Sequence, residues 1–188
     1  LRLLQKSQPF WKLLGAHRVW SSILRVPITF PPQKFKNGTL LSGMCVPDIQ
    51  GTQGSFSFYS TKPRPADKQI GGQQYQIVVR NGRVDSNLTG PRGADGHPMK
   101  CPFSVEVGDA KVTFREVKRK ARITIGGVTV DVGLKEYTPW LTVPFGKITG
   151  IVRFYVQTWD DRDFELYATP INIDPEKPAL PISTPPDY

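Results

Sequence analysis

The sequence predicts an α+β fold that is mainly β: a short helix–strand piece of an α/β sheet, then an antiparallel β-sandwich or rolled sheet. Three observations lead there. A helix-like stretch near the start runs into an apolar strand. Tight turns flanked by strand formers dominate after residue 55. Gly and Pro number 17 and 18 in 188 residues, which favours many turns and short strands over long helices.

Residues 8–15 read as a short helix. Pro9 suits a first helical position, Phe10, Leu13 and Leu14 share one face, and Gly15 is a natural stop. SSILRVPITF, residues 21–30, reads as a strand. Its apolar residues Ile23, Leu24, Val26 and Ile28 do not alternate cleanly, the pattern of a strand buried on both faces in a parallel sheet. Its parallel neighbours are expected outside this chain. LLSGMCVPDIQGTQGSFSFYS, residues 40–60, combines glycines, a cysteine and a Pro-Asp step before turning into a strand, which is the character of a loop lining a site.

Three hairpins can be written with their pairings. Gly126-Gly127 is a two-residue turn that sets Ile125 opposite Val128 and Ile123 opposite Val130, with Thr124 opposite Thr129 and Arg122 opposite Asp131 on the other face. Gly108-Asp109 would set Val107 opposite Ala110, Val105 opposite Val112, Phe103 opposite Phe114 and Glu106 opposite Lys111. Asn81-Gly82 would set Val79 opposite Val84 and Tyr75 opposite Leu88. A slip by one residue would turn every one of these side chains over, so the register is well specified. IVRFYVQTW and FELYATPI follow as strands joined by a turn at Asp160–Asp163. The proline-rich tail NIDPEKPALPISTPPDY has no periodicity and reads as an extended connector. The expected division is 1–61 for the helix–strand–loop piece, 62–169 for the β-rich part and 170–188 for the connector.

A chain of this length buries roughly 70% of its unfolded surface and needs no metal or disulfide to fold. No apolar run reaches the roughly 18 residues of a membrane span, and Pro9 interrupts the apolar start that a signal peptide would need. The chain begins without Met in mid-pattern, as a piece of a longer protein would. Asn37-Gly38-Thr39 and Asn87-Leu88-Thr89 are glycosylation sequons, but they do not identify a compartment. The formal charge is +9, from 25 basic and 16 acidic residues, which suits anionic partners: phosphorylated substrates, nucleic acid or acidic lipid. A solvated basic face explains the same number.

Each candidate for chemistry has a structural counterpart. Cys45 with His17 or His97 would make a nucleophile pair, without any supporting signature. His97 and Cys101 are spaced as zinc ligands, without a second pair. Cys45 and Cys101 are the two cysteines, and their spacing neither demands nor forbids a disulfide. Asp48 reads as a turn former. Asp160, Asp161 and Asp163 read as a solvated hairpin end rather than a calcium loop, because the turn glycine and closing Glu are missing. In REVKRKAR, Arg115, Lys118, Arg119 and Lys120 could track a polyanion, but the run lacks an aromatic for base stacking. No nucleotide-binding glycine motif occurs.

PFWKLLGAHRVWSSILRVPITFPP, LLSGMCVPDIQGTQGSFSFYST and FELYATPINIDPEKPALPIS resemble the bacterial type I phosphodiesterase/nucleotide pyrophosphatase-like proteins of the alkaline phosphatase superfamily. The resemblance covers residues 9–61 and 164–184. The matching positions are Phe10, Trp11, Arg25, Val26, Pro27, Phe30, Pro31, Pro32, Leu41, Ser42, Gly43, Met44, Pro47, Asp48, Gly51, Thr52, Gly54, Phe56 and Tyr59. It implies a metal-dependent hydrolase with a Thr or Ser nucleophile beside two divalent metal ions, zinc or manganese. It also implies that the nucleophile precedes residue 1 and that later metal motifs follow residue 188. This chain would then supply no catalytic residue, metal ligand or cofactor of its own. Ligands bind outside the carboxyl ends of strands in open α/β sheets. Arg25, Pro27, Phe30, Met44, Cys45 and Asp48 are therefore the substrate-proximal candidates.

The expected function is a non-catalytic middle segment of such a hydrolase, with the β-rich part an insertion that shapes access for an anionic, phosphate-containing small molecule. Its expected partner is the remainder of the catalytic domain, with neither nucleic acid nor membrane implied. The rival expectation is a stand-alone basic β-sandwich module that binds a polyanion through the basic run at 115–122. A third is a purely structural insertion that packs subunits or caps the catalytic domain.

Overall fold

The computed structural model describes residues 7–63, 71–108, 120–160 and 163–188. The fold is mainly β, with one short helix among the described residues and mostly antiparallel sheets. The described chain divides into two compact units. The smaller runs to Pro47 and resumes at Pro178–Tyr188; the larger is Asp48–Lys177.

In the smaller unit, helix α1 is Phe10–Ala16. Pro9 is its N-cap rather than its first residue, and His17 closes it by donating its N–H to the Leu13 and Leu14 carbonyls. Gly15 is not the stop. It lies inside the helix and is buried, because a Cβ there would run into the Lys36 carbonyl. Strand β1 is Ser21–Leu24, parallel to β2, Gly38–Leu41, and Ser183–Thr184 (β14) adds antiparallel to β2.

Two expectations are corrected here. The strand predicted over 21–30 ends at Leu24, because Arg25 and Ile28 take left-handed backbone at φ 54° and 60° around Pro27. A parallel neighbour of β1 lies within this chain. The strand is also not apolar on both faces: Ile23 is buried, Ser22 and Leu24 exposed.

Among its described residues the larger unit holds three sheets. In the first, β5 (Arg83–Arg92), β6 (Pro98–Gly108), β7 (Lys120–Ile125) and β8 (Val128–Gly133) pair antiparallel in that order. In the second the order is β11 (Phe154–Trp159), β12 (Phe164–Ala168), β3 (Phe56–Ser60) and β4 (Gly72–Gln76), with β3 and β4 parallel. The third pairs β10 (Ile148–Val152) with β9 (Leu141–Phe145) and β13 (Asn172–Ile173). Phe56–Ser60, placed with the first part of the chain by its sequence, is a central strand here. The proline-rich tail is extended, and it pairs at β13 and β14.

Gly126-Gly127 forms with the predicted register throughout. Thr124 and Thr129 hydroxyls sit 3.0 Å apart, and Arg122 Nε donates to Asp131 Oδ1 at 2.9 Å. Both glycines have positive φ, as a two-residue hairpin turn requires.

The other two hairpins are corrected. Asn81-Gly82 makes its turn, with Arg80 and Arg83 exchanging backbone hydrogen bonds. The strands on either side then part into different sheets. Val84 pairs with Val105 and Leu88 with Cys101, while Tyr75 stacks on Tyr59. The Gly108-Asp109 hairpin falls partly outside the described residues. Within them, Phe103, Val105 and Val107 face Ile125, Ile123 and Ala121 of β7, and β5 holds the other edge. Both edges of β6 are thus taken, by β5 and by β7. IVRFYVQTW is also split: Ile151 and Val152 end β10, and Phe154 begins β11 in another sheet.

Inward side chains of all three sheets form one core. Tyr59 meets the Phe103 ring edge-on at 5.0 Å, and Phe103 meets Phe154 at 5.3 Å. The Tyr59 hydroxyl donates to the Asn87 carbonyl at 2.9 Å. Burial first, and then neighbouring Tyr75, push the Tyr59 phenol well above its ordinary 10.0. A folded-state pKa above the unfolded one favours folding below 10.0. That contribution is lost as pH rises past 10.0, where the unfolded chain ionises and the folded one does not. Urea unfolding should therefore show stability falling above this pH, with a shallower fall in Tyr59→Phe. An unchanged slope in that variant would refute the assignment.

Candidate functional site

The loops after the parallel strands of the smaller unit are built by backbone hydrogen bonds. Arg25 N–H donates to Leu41 O at 2.9 Å, and Ile28 N–H to Met44 O at 3.3 Å. Thr29 ties them further. Its hydroxyl donates to Val26 O at 2.7 Å and accepts from Gly43 N–H at 3.3 Å, while Ser42 Oγ donates to Thr29 O at 3.0 Å. Gly43 permits this approach, since a Cβ there would collide with Arg25 backbone.

The structure thus brings five of the six substrate-proximal candidates onto one pair of loops: Arg25, Pro27 and Phe30 after β1, Met44 and Cys45 after β2. Arg25, Pro27, Met44 and Cys45 are exposed and Phe30 is half-buried. Arg25, Ile28 and Cys45 all adopt positive φ. Such backbone costs on the order of 1–3 kcal/mol per residue and persists where the surroundings over-determine it.

Asp48 begins the larger unit and is buried. Its Oδ1 accepts from Gln50 N–H at 3.0 Å and Thr52 N–H at 2.8 Å. Its Oδ2 accepts from Ser55 N–H at 3.2 Å and from the Thr52 hydroxyl. Every partner lies in its own turn, so this carboxylate organises the glycine-rich loop.

The other candidates are not assembled. Cys45 and Cys101 are free thiols. Burial pushes the Cys101 thiol above its ordinary range, which opposes thiolate chemistry. His17 caps the helix in solvent, and His97 sits exposed in the turn between β5 and β6, its N–H donating to Asp95. Among the described residues, no three His, Cys, Asp or Glu side chains gather as metal ligands would. Asp160 and Asp163 close their hairpin on each other, and Asp163 pairs with Lys62 at 2.9 Å; Asp161 lies outside the described residues. So do Arg115, Lys118 and Arg119, while Lys120 is exposed at the start of β7 opposite Gly133.

The larger unit also carries a groove of about 620 Å³ over β5, β6 and the Gly126-Gly127 turn. Its Arg83 is already paired with Asp85 at 2.9 Å and Glu106 at 3.2 Å.

A second arrangement was missed by the sequence reading. Tyr137 bridges to Tyr155, their rings 4.7 Å apart, and Tyr155 stands opposite Tyr167 across β11 and β12. The Arg153 guanidinium lies over Tyr137 at 5.0 Å and Trp140 at 5.7 Å. The available signal was the alternation Arg153, Tyr155 beside an aromatic-bearing loop, but ordinary strand pairing produces the same alternation.

Asp48→Ala should destabilise the larger unit by about 1–3 kcal/mol in urea unfolding, since it leaves buried N–H donors unpaired. A wild-type midpoint would contradict the turn-forming role. Gly43→Ala should force the two loops apart, read as faster hydrogen exchange at the Arg25 and Ile28 amides; unchanged exchange there would count against the packing.

A scan of family models and searches of curated proteins and of solved structures found nothing that matches this chain.

Proposed function

We propose that this chain is a non-catalytic middle segment of a metal-dependent phosphodiesterase/nucleotide pyrophosphatase-like hydrolase. It supplies a helix–strand piece of the catalytic sheet, and its β-rich unit shapes access for an anionic, phosphate-containing substrate.

The observation that carries this reading is where apolar side chains remain uncovered. Among the described residues of the smaller unit, Ile23 and Leu40 are the buried hydrophobics. Around them Trp20 is 67% exposed, Ile28 69% and Met44 68%, and Phe10, Leu13, Val19 and Leu24 are exposed as well. This is the unit that holds most of the family-like sequence. So many large apolar side chains in solvent on one small unit support a surface that another protein region covers. The remainder of a catalytic domain, packing on α1 and the free edge of β1, is the partner that fits.

The two divalent ions of such a hydrolase do not fit the described residues. Asp48 spends both carboxylate oxygens on its own turn, and the two histidines stand in solvent on separate turns. In this reading the nucleophile and ligands belong to the remainder of the hydrolase. What this chain contributes is positioning: the knitted loops at the carboxyl ends of β1 and β2 present Arg25, Met44 and Cys45 on a fixed backbone. The net positive charge favours approach of an anionic substrate by steering.

The isolated chain should bind a hydrophobic dye strongly. Leu24→Ser, Ile28→Ser and Met44→Ser together should dim that signal without shifting the urea midpoint of the larger unit. With zinc or manganese and bis(4-nitrophenyl) phosphate, turnover should not exceed buffer. Robust metal-dependent hydrolysis by this chain alone, or a monomer that leaves the dye dark, would sink the reading.

A further inference from the structure

We propose that Arg153, with Tyr137, Trp140, Tyr155 and Tyr167, forms a binding site for a tetrahedral oxyanion of the phosphate type. The residues all belong to the larger unit, so the inference stands apart from the role assigned to the loops of the smaller one.

The first argument is the state of the guanidinium. Arg153 Nε donates to the Thr138 carbonyl at 2.7 Å. Thr138 is itself fixed: it is fully buried, its N–H donates to Phe154 O at 2.8 Å, and its hydroxyl accepts from Phe154 N–H at 3.0 Å. The Arg153 backbone is held too, its N–H donating to Thr169 Oγ1 at 3.0 Å. The two ring contacts fix the plane of the group from its faces. A guanidinium offers five N–H donors in a planar fork. Here one is used, and no acceptor or carboxylate among the described residues takes the Nη hydrogens. Arg83 and Arg122, by contrast, are each paired with carboxylates.

The second argument is the company this group keeps. Arg153 immediately precedes β11, Tyr155 is the second residue of that strand, and Tyr167 lies directly opposite Tyr155. Burial raises the Tyr167 phenol above its ordinary value, and Tyr137 adds to the rise, so this phenol keeps its proton. An oriented cation with uncommitted donors, set among tyrosine side chains that carry donors of their own, matches an oxyanion that accepts several hydrogen bonds. Tyr137 is 47% exposed and Trp140 50%, so a ligand can reach the group from solvent, and ring faces are available to an organic substituent on the anion.

The oxyanion could arrive as free phosphate or as a phosphate ester, and the experiment separates them. The full chain, labelled with ¹⁵N, is titrated with inorganic phosphate, with phenyl phosphate and with sodium chloride at matched ionic strength. Saturable shifts of the Arg153 Nε–H and Trp140 indole N–H signals are expected with the phosphates and not with chloride. Tighter binding of phenyl phosphate assigns an ester as the ligand; equal binding assigns the free anion. Arg153→Gln should weaken binding by about tenfold or more with the rest of the spectrum intact, and Arg153→Lys, which keeps the charge but loses the fork, by a smaller factor. Should Arg153→Gln misfold, Tyr155→Phe and Trp140→Ala provide the comparison, each expected to weaken binding severalfold. Absence of saturable shifts, shifts that chloride reproduces, or wild-type affinity in folded variants at these positions would overturn the proposal.

Discussion

The two four-stranded sheets of the larger unit meet along one line of aromatic contact. Tyr75 stacks on Tyr59, Tyr59 meets Phe103, and Phe103 meets Phe154. These rings belong to β4, β3, β6 and β11, so they join the two four-stranded sheets through side chains rather than through backbone. Each isolated hairpin would be marginal in water, because it buries one face against nothing. Here Val105, Ile123, Val143, Val152 and Leu166 are all fully enclosed, and burial on that scale makes the strand pairings mutually supporting. The polar end of Tyr59 fits the same logic: Asn87 stands opposite Pro102, which has no N–H to offer, and the phenol takes the Asn87 carbonyl.

The smaller unit is held differently. Its buried groups include Thr29, Thr39, Ser42, Ser183 and Thr184, and its apolar side chains are largely outside. None of the buried side-chain N or O atoms among the described residues lacks a partner. Hydrogen bonds of this kind specify geometry well but add only about 0.5–1.5 kcal/mol each to stability. The unit fixes its loops through polar contacts while leaving Trp20 and Ile28 in solvent. This contrast connects the fold to the proposed role, in which the smaller unit belongs to a larger catalytic core and the larger unit folds on its own hydrophobic account.

Electrostatics divide along similar lines. The ion pairs of the first sheet, Arg83 with Asp85 and Glu106 and Arg122 with Asp131, are half-exposed and satisfy one another. They favour the register of the strands rather than the binding of a ligand. Arg153 is oriented by a backbone carbonyl and two rings, with its remaining donors uncommitted. A net charge of +9 therefore reveals little by itself; what matters is which cations already have partners.

The mainly β character, the Gly126-Gly127 hairpin with every cross-strand pair, and the turn-forming role of Asp48 could be read from sequence alone. All three follow from short-range sterics: positive φ at glycine, side-chain alternation, and a carboxylate that reaches the N–H groups just after it. Tertiary structure decided the rest. Asn81-Gly82 turned as its residues dictate, but the strands it joins went to different sheets, because burying Tyr75 on Tyr59 and Val84 on Val105 satisfied both. Gly15 looked like a helix end and proved to be a packing contact with Lys36, a residue distant in sequence. The Arg153 cluster draws on a loop and two strands from 137 to 167, and no local pattern encodes which face they share. Sequence specifies turns and faces over a few residues; which faces meet is settled only when the whole core competes for burial.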